Sequence, residues 1–410
     1  MIKRLDLYLN TSALGVVQAA DVALVEEGAS LRQVGFRYRP DYLALPGAFA
    51  LDPVQLPLTA REVTLDCSAG VPAFLDDYLP DRWGRRVLAR LALYRQGRRL
   101  NANSVIDVLP LIGQSRIGAL CLVERGALPN FAPGAPLEKL QMAEQAAQHI
   151  DGLDFQSVSM DEMSLLYLAN AGTGVGGARP KALLYDAQGC YLAKFNRITQ
   201  DAYNNARVEL ACLRMARAAG LEVKDGRVVT GVNGREVLLL ERFDTAGPAR
   251  HHLITVNGLL KEPNTQSDPG RAFRYDDIHD LLRVHSKRIE KDLEQLLRLM
   301  LFNRAINNTD DHERNFSLIH RGEGYQLAPA YDLVPSLTLG EYHAAGYQYQ
   351  PSPPRPSEAA GLGRIFGLPK PLVADVAEQV RAAVLEWPKH AEEAGVGCTD
   401  MQRIQSCLQL

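Results

Sequence analysis

Three features predict an α+β chain of two lobes arranged as in protein kinases. The stretch Asn308–Asn315 (NTDDHERN) sets an Asp and an Asn five residues apart, and a second Asp, Asp332, follows within YDL. A glycine-rich run lies upstream, ahead of a strand that carries a lysine. The expected architecture is a two-lobed protein-kinase-like fold with a β-rich N-terminal subdomain and a mainly helical C-terminal lobe. An alcohol nucleophile needs an oxygen acceptor beside it, and a divalent ion bridging phosphates needs hard oxygen ligands. Asp310 fits the base, and Asn315 and Asp332 fit magnesium ligands. Acidic loop clusters are also common as merely solvated surface, so the set has to be weighed with its context.

The elements follow in order. LDLYL, ALVEE, VGFRY and EVTLD are short apolar runs broken by Gly, Pro, Asp and Ser, which predicts a small antiparallel sheet within residues 1–125. One helix is expected over FLDDYLPDRWGRRVLARLALY, with Leu88, Leu91 and Leu93 among its apolar residues, before GALCLV returns to strand. GALPNFAPGAP (126–136) reads as a linker and first boundary. A second region, 138–245, opens with the helix EKLQMAEQAAQHI and reaches AGTGVGGARPKALLY. Strands ALLY and YLAKF flank the turn DAQG, and the helix ARVELACLRMARAAG should end on Gly220 as its C′ residue. VLLLERF is the next strand. The third region, 246–410, has loop composition at EPNTQSDPGRAF (262–273). Apolar residues at 289, 293, 296, 297 and 300 then mark a helix that delivers NTDDHERN. QYQPSPPRPSE (348–358) reads as extended, and residues 372–387 and MQRIQSCLQL as helices.

The chain has 410 residues, 46% hydrophobic and 23% charged, with a formal net charge of −3. Those values suit a globular protein of two or three domains and give no reason for non-specific nucleic-acid binding by the whole surface. Six cysteines without a CxxC pair argue against a zinc site or disulfide scaffold and fit a reducing cytosol. The N-terminus lacks a signal-peptide core and no apolar run reaches transmembrane length, so a cytoplasmic protein is expected.

Each remaining candidate has a bland reading beside a chemical one. Glycines in GTGVGGARPK let backbone N–H groups approach phosphate oxygens, although a flexible turn would look the same, and the Gly-Lys-Ser/Thr ending of a P-loop is absent. Arg179 and Lys181 place positive charge at the exit of that run. Lys194 in YLAKFN is either an edge-strand gatekeeper or an ammonium for nucleotide phosphates, with Glu209 of the next helix as its candidate partner. VLLLERFD is either a core strand emerging into solvent or the connector that meets an adenine edge, with Phe243 lining the pocket. His312 could contact a phosphate or simply shape its loop.

With GVGGARPKA, AKFN, ERFD, NTDDHERNFS and LAPAYDL in place, the chain resembles the HipA family of bacterial serine/threonine kinases, toxins of type II toxin–antitoxin pairs. The resemblance covers nearly the whole length, and FLDDYLPDRWGRR is similar to that family's N-terminal subdomain. It implies a kinase that uses ATP and Mg²⁺ to phosphorylate a protein hydroxyl, in well-known members that of an aminoacyl-tRNA synthetase. By motif match Asp310 is the catalytic base, and Asn315 and Asp332 bind magnesium. Gly176, Gly177, Ala178, Arg179, Pro180 and Lys181 cradle phosphates, with Lys194 reaching them. Glu241, Arg242 and Phe243 frame the adenine. His312, Glu313, Arg314 and Tyr331 complete the nucleotide site. A helix-turn-helix antitoxin is the implied partner, with operator DNA reached only through it, since no such motif is evident here. Members often carry an autophosphorylated Ser in the glycine-rich loop, but the matching position here is Gly174. Thr173 is then the nearest hydroxyl that could serve. A kinase-fold corepressor without strong catalysis and a small-molecule kinase are the competing readings.

Overall fold

Alternating apolar residues build the first layer. Leu5, Leu7 and Leu9 of β1 (Ile2–Thr11) are buried, and β1 pairs with β2 (Gly15–Glu27), which pairs with β3 (Ser30–Tyr38). With β4 (Val63–Asp66) and β5 (Leu120–Glu124) they form an antiparallel sheet in the order β4-β3-β2-β1-β5. The computed structural model describes residues 1–68, 70–97, 99–113, 115–151, 162–171, 179–197, 201–261, 272–338 and 342–410. Around the sheet lie α1 (Pro40–Leu43), α2 (Ala73–Asp76), α3 (Arg82–Gln96) and α4 (Val105–Val108). The single helix expected from Phe74 to Tyr94 is therefore two. Pro80 has no N–H to continue a helix, and Asp81 starts a new one, its carboxylate accepting the Gly84 N–H at 2.7 Å. Leu88 and Leu91 are buried as expected, whereas Leu93 is exposed.

The segment read as a linker ends by joining the next sheet. β6 (Ala135–Pro136) lies parallel to β7 (Lys181–Tyr185). Gly134 makes this possible, because a Cβ there would sit 2.4 Å from the Leu183 carbonyl oxygen. The sheet continues through β8 (Cys190–Phe195), β10 (Glu236–Glu241) and β9 (Gly226–Thr230), in the order β6-β7-β8-β10-β9. Both faces are buried. Ala182, Leu184, Tyr191, Ala193, Val237 and Leu239 pack with α5 (Leu140–Asp151), α6 (Glu162–Ala171) and the N-terminal core. Leu183, Leu192, Leu238 and Leu240 join the core that holds α7 (Asn205–Ala218) and the C-terminal helices. Gly220 ends α7 as expected: at φ 83° it lets Leu221 N–H reach Ala216 C=O at 3.0 Å and its own N–H reach Arg217 C=O at 2.9 Å.

The C-terminal lobe begins with the hairpin β11 (Thr245–Ala246) and β12 (Ala249–Arg250), followed by β13 (His252–Thr255) and α8 (Val256–Leu259). Helices α9 (Tyr275–His285) and α10 (Ile289–Ala305) lead to β14 (Ser317–His320), which pairs with β13, and β15 (Tyr325–Leu327), which pairs with β14. Of the apolar stripe expected on α10, Leu293, Leu296, Leu297 and Met300 are buried, while Ile289 at the first turn is partly exposed. The proline-rich stretch 348–358 is not extended throughout. Pro356 opens α11 (Pro356–Leu362), whose first turn is capped by Glu358 Oε2 accepting Arg355 N–H at 2.8 Å. Helices α12 (Lys370–Leu385), α13 (Trp387–Glu393) and α14 (Cys398–Gln405) complete the lobe. No helix among the described residues is long and apolar enough to cross a membrane.

Candidate active site

Register places the first two candidates together. Lys181 of β7 and Lys194 of β8 are cross-strand partners, so both side chains leave the same face of the sheet, toward α7. Glu209 on α7 meets Lys194, its Oε1 lying 2.6 Å from the ammonium. Asp332 closes on the same ammonium through Oδ1. The partnership expected between Lys194 and Glu209 thus exists, and Asp332 joins it. Burial works against the charge on Lys194, but Asp332 and Glu209 outweigh it and raise its pKa. Burial likewise pushes against the charge on Asp332, yet Lys194, Lys181 and His312 hold its carboxyl below the ordinary range. Glu209 moves the other way, raised by burial and by Asp332 against the pull of Lys194.

The catalytic-loop candidates depend on how α10 ends. Asn307 adopts φ 55°, allowing Asn308 N–H to reach Asn303 C=O at 2.8 Å. The Asn307 amide then donates to Ser336 and Thr338 carbonyls at 2.8 and 3.1 Å, tying the loop to the chain beyond YDL. Asn315 Nδ2 donates to the Asp310 carbonyl at 2.8 Å, which spans the interval between base and metal candidates. That bond leaves Asn315 Oδ1 buried with no hydrogen-bond partner among the described residues. Asp332 sits at φ 58°, a left-handed conformation rare for a residue with a side chain. Asp310 is exposed. Burial of its surroundings raises its pKa, with Asp332 and Asp311 adding to the shift and His312 opposing it.

Several residues that hold this geometry carried no sequence assignment. Asp311 is fully buried, accepting Tyr275 Oη at 2.8 Å and Ala345 N–H at 3.1 Å, with His343 Nδ1 at 3.4 Å. Asn303 Nδ2 donates to Tyr275 Oη at 2.9 Å, while Asn308 Nδ2 reaches Asn303 Oδ1 at 3.1 Å and the Asp332 carbonyl at 3.3 Å. A polar chain therefore runs from the loop to the backbone of Asp332. The second Asp of DDH is its anchor, and the duplicated acid was the one available signal for it.

A cleft opens beside Lys194, lined by Ile117, Leu192, Leu213, Leu240, Phe243 and Tyr331 among others. Phe243 stacks on Tyr331 with ring centroids 5.8 Å apart. The connector is more committed than its sequence suggests. Glu241 N–H goes to Asp225 C=O at 2.9 Å and Arg242 N–H to Cys190 C=O at 3.0 Å. The Arg242 side chain is buried in a two-armed pair with Asp244, at 2.9 and 2.7 Å, and donates to Arg116 C=O at 2.7 Å. Asp244 also accepts Gly118 N–H at 2.7 Å, so ERFD binds the connector to the N-terminal sheet. Arg314 Nη2 lies 2.8 Å from Asp76, Glu313 and His312 are half-buried, and Arg179 pairs with Asp201 at 3.0 Å. Pro180 C=O accepts Phe195 N–H at 3.0 Å, closing the end of the β7–β8 ladder. Gly176, Gly177 and Ala178, like Thr173, Gly174 and most of 262–273, lie outside the described residues.

Comparison with known proteins bears on the fold and the family. A Sinorhizobium fredii (strain NBRC 101917 / NGR234) protein, Y4mE, which carries the name of a kinase, is 28% identical over 203 residues, 48% of this chain and 42% of that protein. The chain thus spans less than half the length of that curated relative. A chain of the Shewanella oneidensis MR-1 complex of HipA, HipB and operator DNA superposes with a TM-score of 0.68 at 17% identity, covering 98% of this chain and 96% of that one. The Helicobacter pylori proinflammatory kinase CtkA gives a TM-score of 0.44 at 14% identity, over 57% of this chain and 87% of that one. The near full-length superposition shows a shared two-lobed, kinase-like fold. Residues 14–123 match the HipA N-terminal domain and residues 173–387, more than half of the chain, match the HipA-like C-terminal domain, and the chain belongs to the HipA family.

Proposed function

We propose that this chain is an ATP- and magnesium-dependent serine/threonine protein kinase, the toxin of a cytoplasmic toxin–antitoxin pair. The observation that carries the reading is the Lys194 ammonium held between Glu209 and Asp332, with the orphaned Asn315 oxygen on the adjoining loop. A buried amide oxygen without a partner is costly unless a donor or a cation meets its lone pairs, and a hard cation is a fitting occupant. Asn315 and Asp332 would hold Mg²⁺, which supplies charge neutralisation on the phosphates when bound. Lys194 orients the phosphates, and Glu209 keeps that lysine charged and in place. Asp310 takes the proton from the acceptor hydroxyl as the new O–P bond forms and the bond to the ADP oxygen breaks. Phe243, Tyr331 and the leucines of the cleft suit a flat base, with Glu241 and Arg242 contributing mainly as backbone. The described end of the glycine-rich run, Arg179 to Lys181, adds cations at the phosphate end.

We take residues 1–125, 138–245 and 246–410 as the N-terminal subdomain, small lobe and helical lobe. The acceptor is a protein hydroxyl, with an aminoacyl-tRNA synthetase the first candidate. A helix-turn-helix antitoxin is the partner through which operator DNA is met, as HipB accompanies HipA in the Shewanella complex. Phosphoproteomics of cells expressing the wild-type chain or Asp310→Asn tests this. New phosphoserine or phosphothreonine confined to the wild-type cells supports a protein kinase. Identical phosphoproteomes contradict it.

A further inference from the structure

The motif FLDDYLPD belongs to the N-terminal unit, yet its carboxylates leave that unit. Asp76, at the end of α2, has one oxygen shared by three donors: Lys261 Nζ at 2.6 Å, Arg314 Nη2 at 2.8 Å and Asn257 Nδ2 at 3.1 Å. Asp77 accepts Thr255 N–H at 2.7 Å and Thr255 Oγ1 at 2.6 Å, and Thr255 is the N-cap of α8. Asp81 lies 3.5 Å from Lys181. The backbones approach closely here, since a Cβ on Gly258 of α8 would stand 2.8 Å from Ala73 Cβ of α2.

Of these contacts, the one to Arg314 falls on the catalytic loop itself. Arg314 precedes Asn315, and its carbonyl accepts Tyr331 Oη at 3.0 Å, one residue before Asp332. Within the loop, Asn315 N–H meets His312 C=O at 2.9 Å and the Asn315 amide meets Asp310 C=O, while Asp311 is anchored to Tyr275 and Ala345. Among the described residues, the Arg314 guanidinium has no hydrogen-bond partner within its own loop. Asp76 supplies one from another domain, and Lys261, Asn257 and Thr255 keep α2 docked independently of Arg314.

We propose that Asp76 is a positioning residue for phosphoryl transfer: by pinning Arg314 it sets Asp310 and Asn315 at their working distance from Asp332, so the N-terminal unit completes the catalytic loop. The inference rests on the kinase reading above. A displacement of the order of an ångström is enough to cost a large part of a proximity advantage, and binding of ATP is affected less than its turnover.

The test compares the full-length wild type with Asp76→Asn, Asp76→Glu, Arg314→Gln and the double variant Asp76→Asn/Arg314→Gln. Steady-state ADP release from Mg·ATP is followed with water taking the γ-phosphoryl group in place of a protein hydroxyl, and hydrogen exchange of residues 308–315 is followed in parallel. Asp76→Asn and Arg314→Gln should each lower kcat about tenfold with KM for ATP within about twofold, and Asp76→Glu should recover most of it. The double variant should be no worse than the weaker single, and exchange at 308–315 should quicken in both singles. An unchanged kcat, a parallel rise in KM, or additive losses would overturn the positioning role. Absence of ADP release from the wild type, together with no transfer of labelled γ-phosphate to protein in a cell extract, would contradict the kinase reading instead. The exchange arm then decides the clamp by itself, and unaltered protection of 308–315 in Asp76→Asn overturns it.

Discussion

Asp332 is held with φ 58°, where a side chain costs about 1 kcal/mol. The metal role proposed for Asp332 would give that carboxylate a use. Asp332→Gly should therefore unfold no earlier than the wild type in thermal melts while losing phosphoryl transfer, and a variant that is both active and more stable would remove Asp332 from the chemistry. Asp310 gives a pH signature. Burial, Asp332 and Asp311 raise its pKa, so the carboxylate needed as base is lost as pH falls through a value above the ordinary aspartate range of about 3.9. His312 opposes the shift, and His312→Gln should move the acid limb of the kcat profile to higher pH. An acid limb that stays put or moves down would disconnect His312 from the base. Both acids were singled out from spacing alone, on the chemistry proposed for them. Asp311 was not, since a buried acid that anchors a loop and an acid that faces substrate look alike in NTDDHERN.

At the scale of elements, capping chemistry was readable where one residue type dominates the solution. Gly220 as the end of α7 is such a case. Asn307 solves the same problem at the end of α10, but an Asn inside an Asn-rich loop does not announce a left-handed residue. Asn307→Ala removes two side-chain hydrogen bonds and strains the φ 55° backbone, and should destabilise the protein by about 1–3 kcal/mol in urea unfolding. Asn307→Gly should cost less than Ala, and the reverse order would show that backbone conformation is not the controlling factor. The helix read across FLDDYLPDRWGRR was broken at Pro80 for a reason present in the sequence, but apolar periodicity on both sides masked it. Likewise Pro356 in a proline-rich run opens α11, because Pro suits a first helical turn as well as an extended chain.

For the whole molecule, the order of elements was legible because each step of the kinase-like arrangement has its own pattern. The joints between units were not, since contacts such as Arg242–Asp244 to Gly118, or Asp76 to Arg314, link residues more than a hundred positions apart. One such joint titrates. His252 Nε2–H donates to Leu51 C=O at 2.7 Å, and His320 stacks on Phe49 with centroids 3.6 Å apart. Burial lowers both pKa values to about 4 from 6.5, with His252 and His251 adding to the shift on His320. The unfolded chain then binds more protons between those values, so stability is complete above pH 6.5 and falls as pH drops toward 4, by about 3 kcal/mol for His252. Urea unfolding of the wild type and His252→Gln across pH 4.5–7.5 should show a shallower acid slope in the variant, and parallel curves would contradict the assignment. The proposal that the cleft is a working kinase site is tested most directly by transfer of labelled γ-phosphate from Mg·ATP to protein in a cell extract. Wild-type chain should label discrete serine or threonine acceptors, with labelling lost on chelation of Mg²⁺ and reduced at least about a hundredfold in Asp310→Asn. Equal labelling by wild type and Asp310→Asn, or none by either, would contradict it.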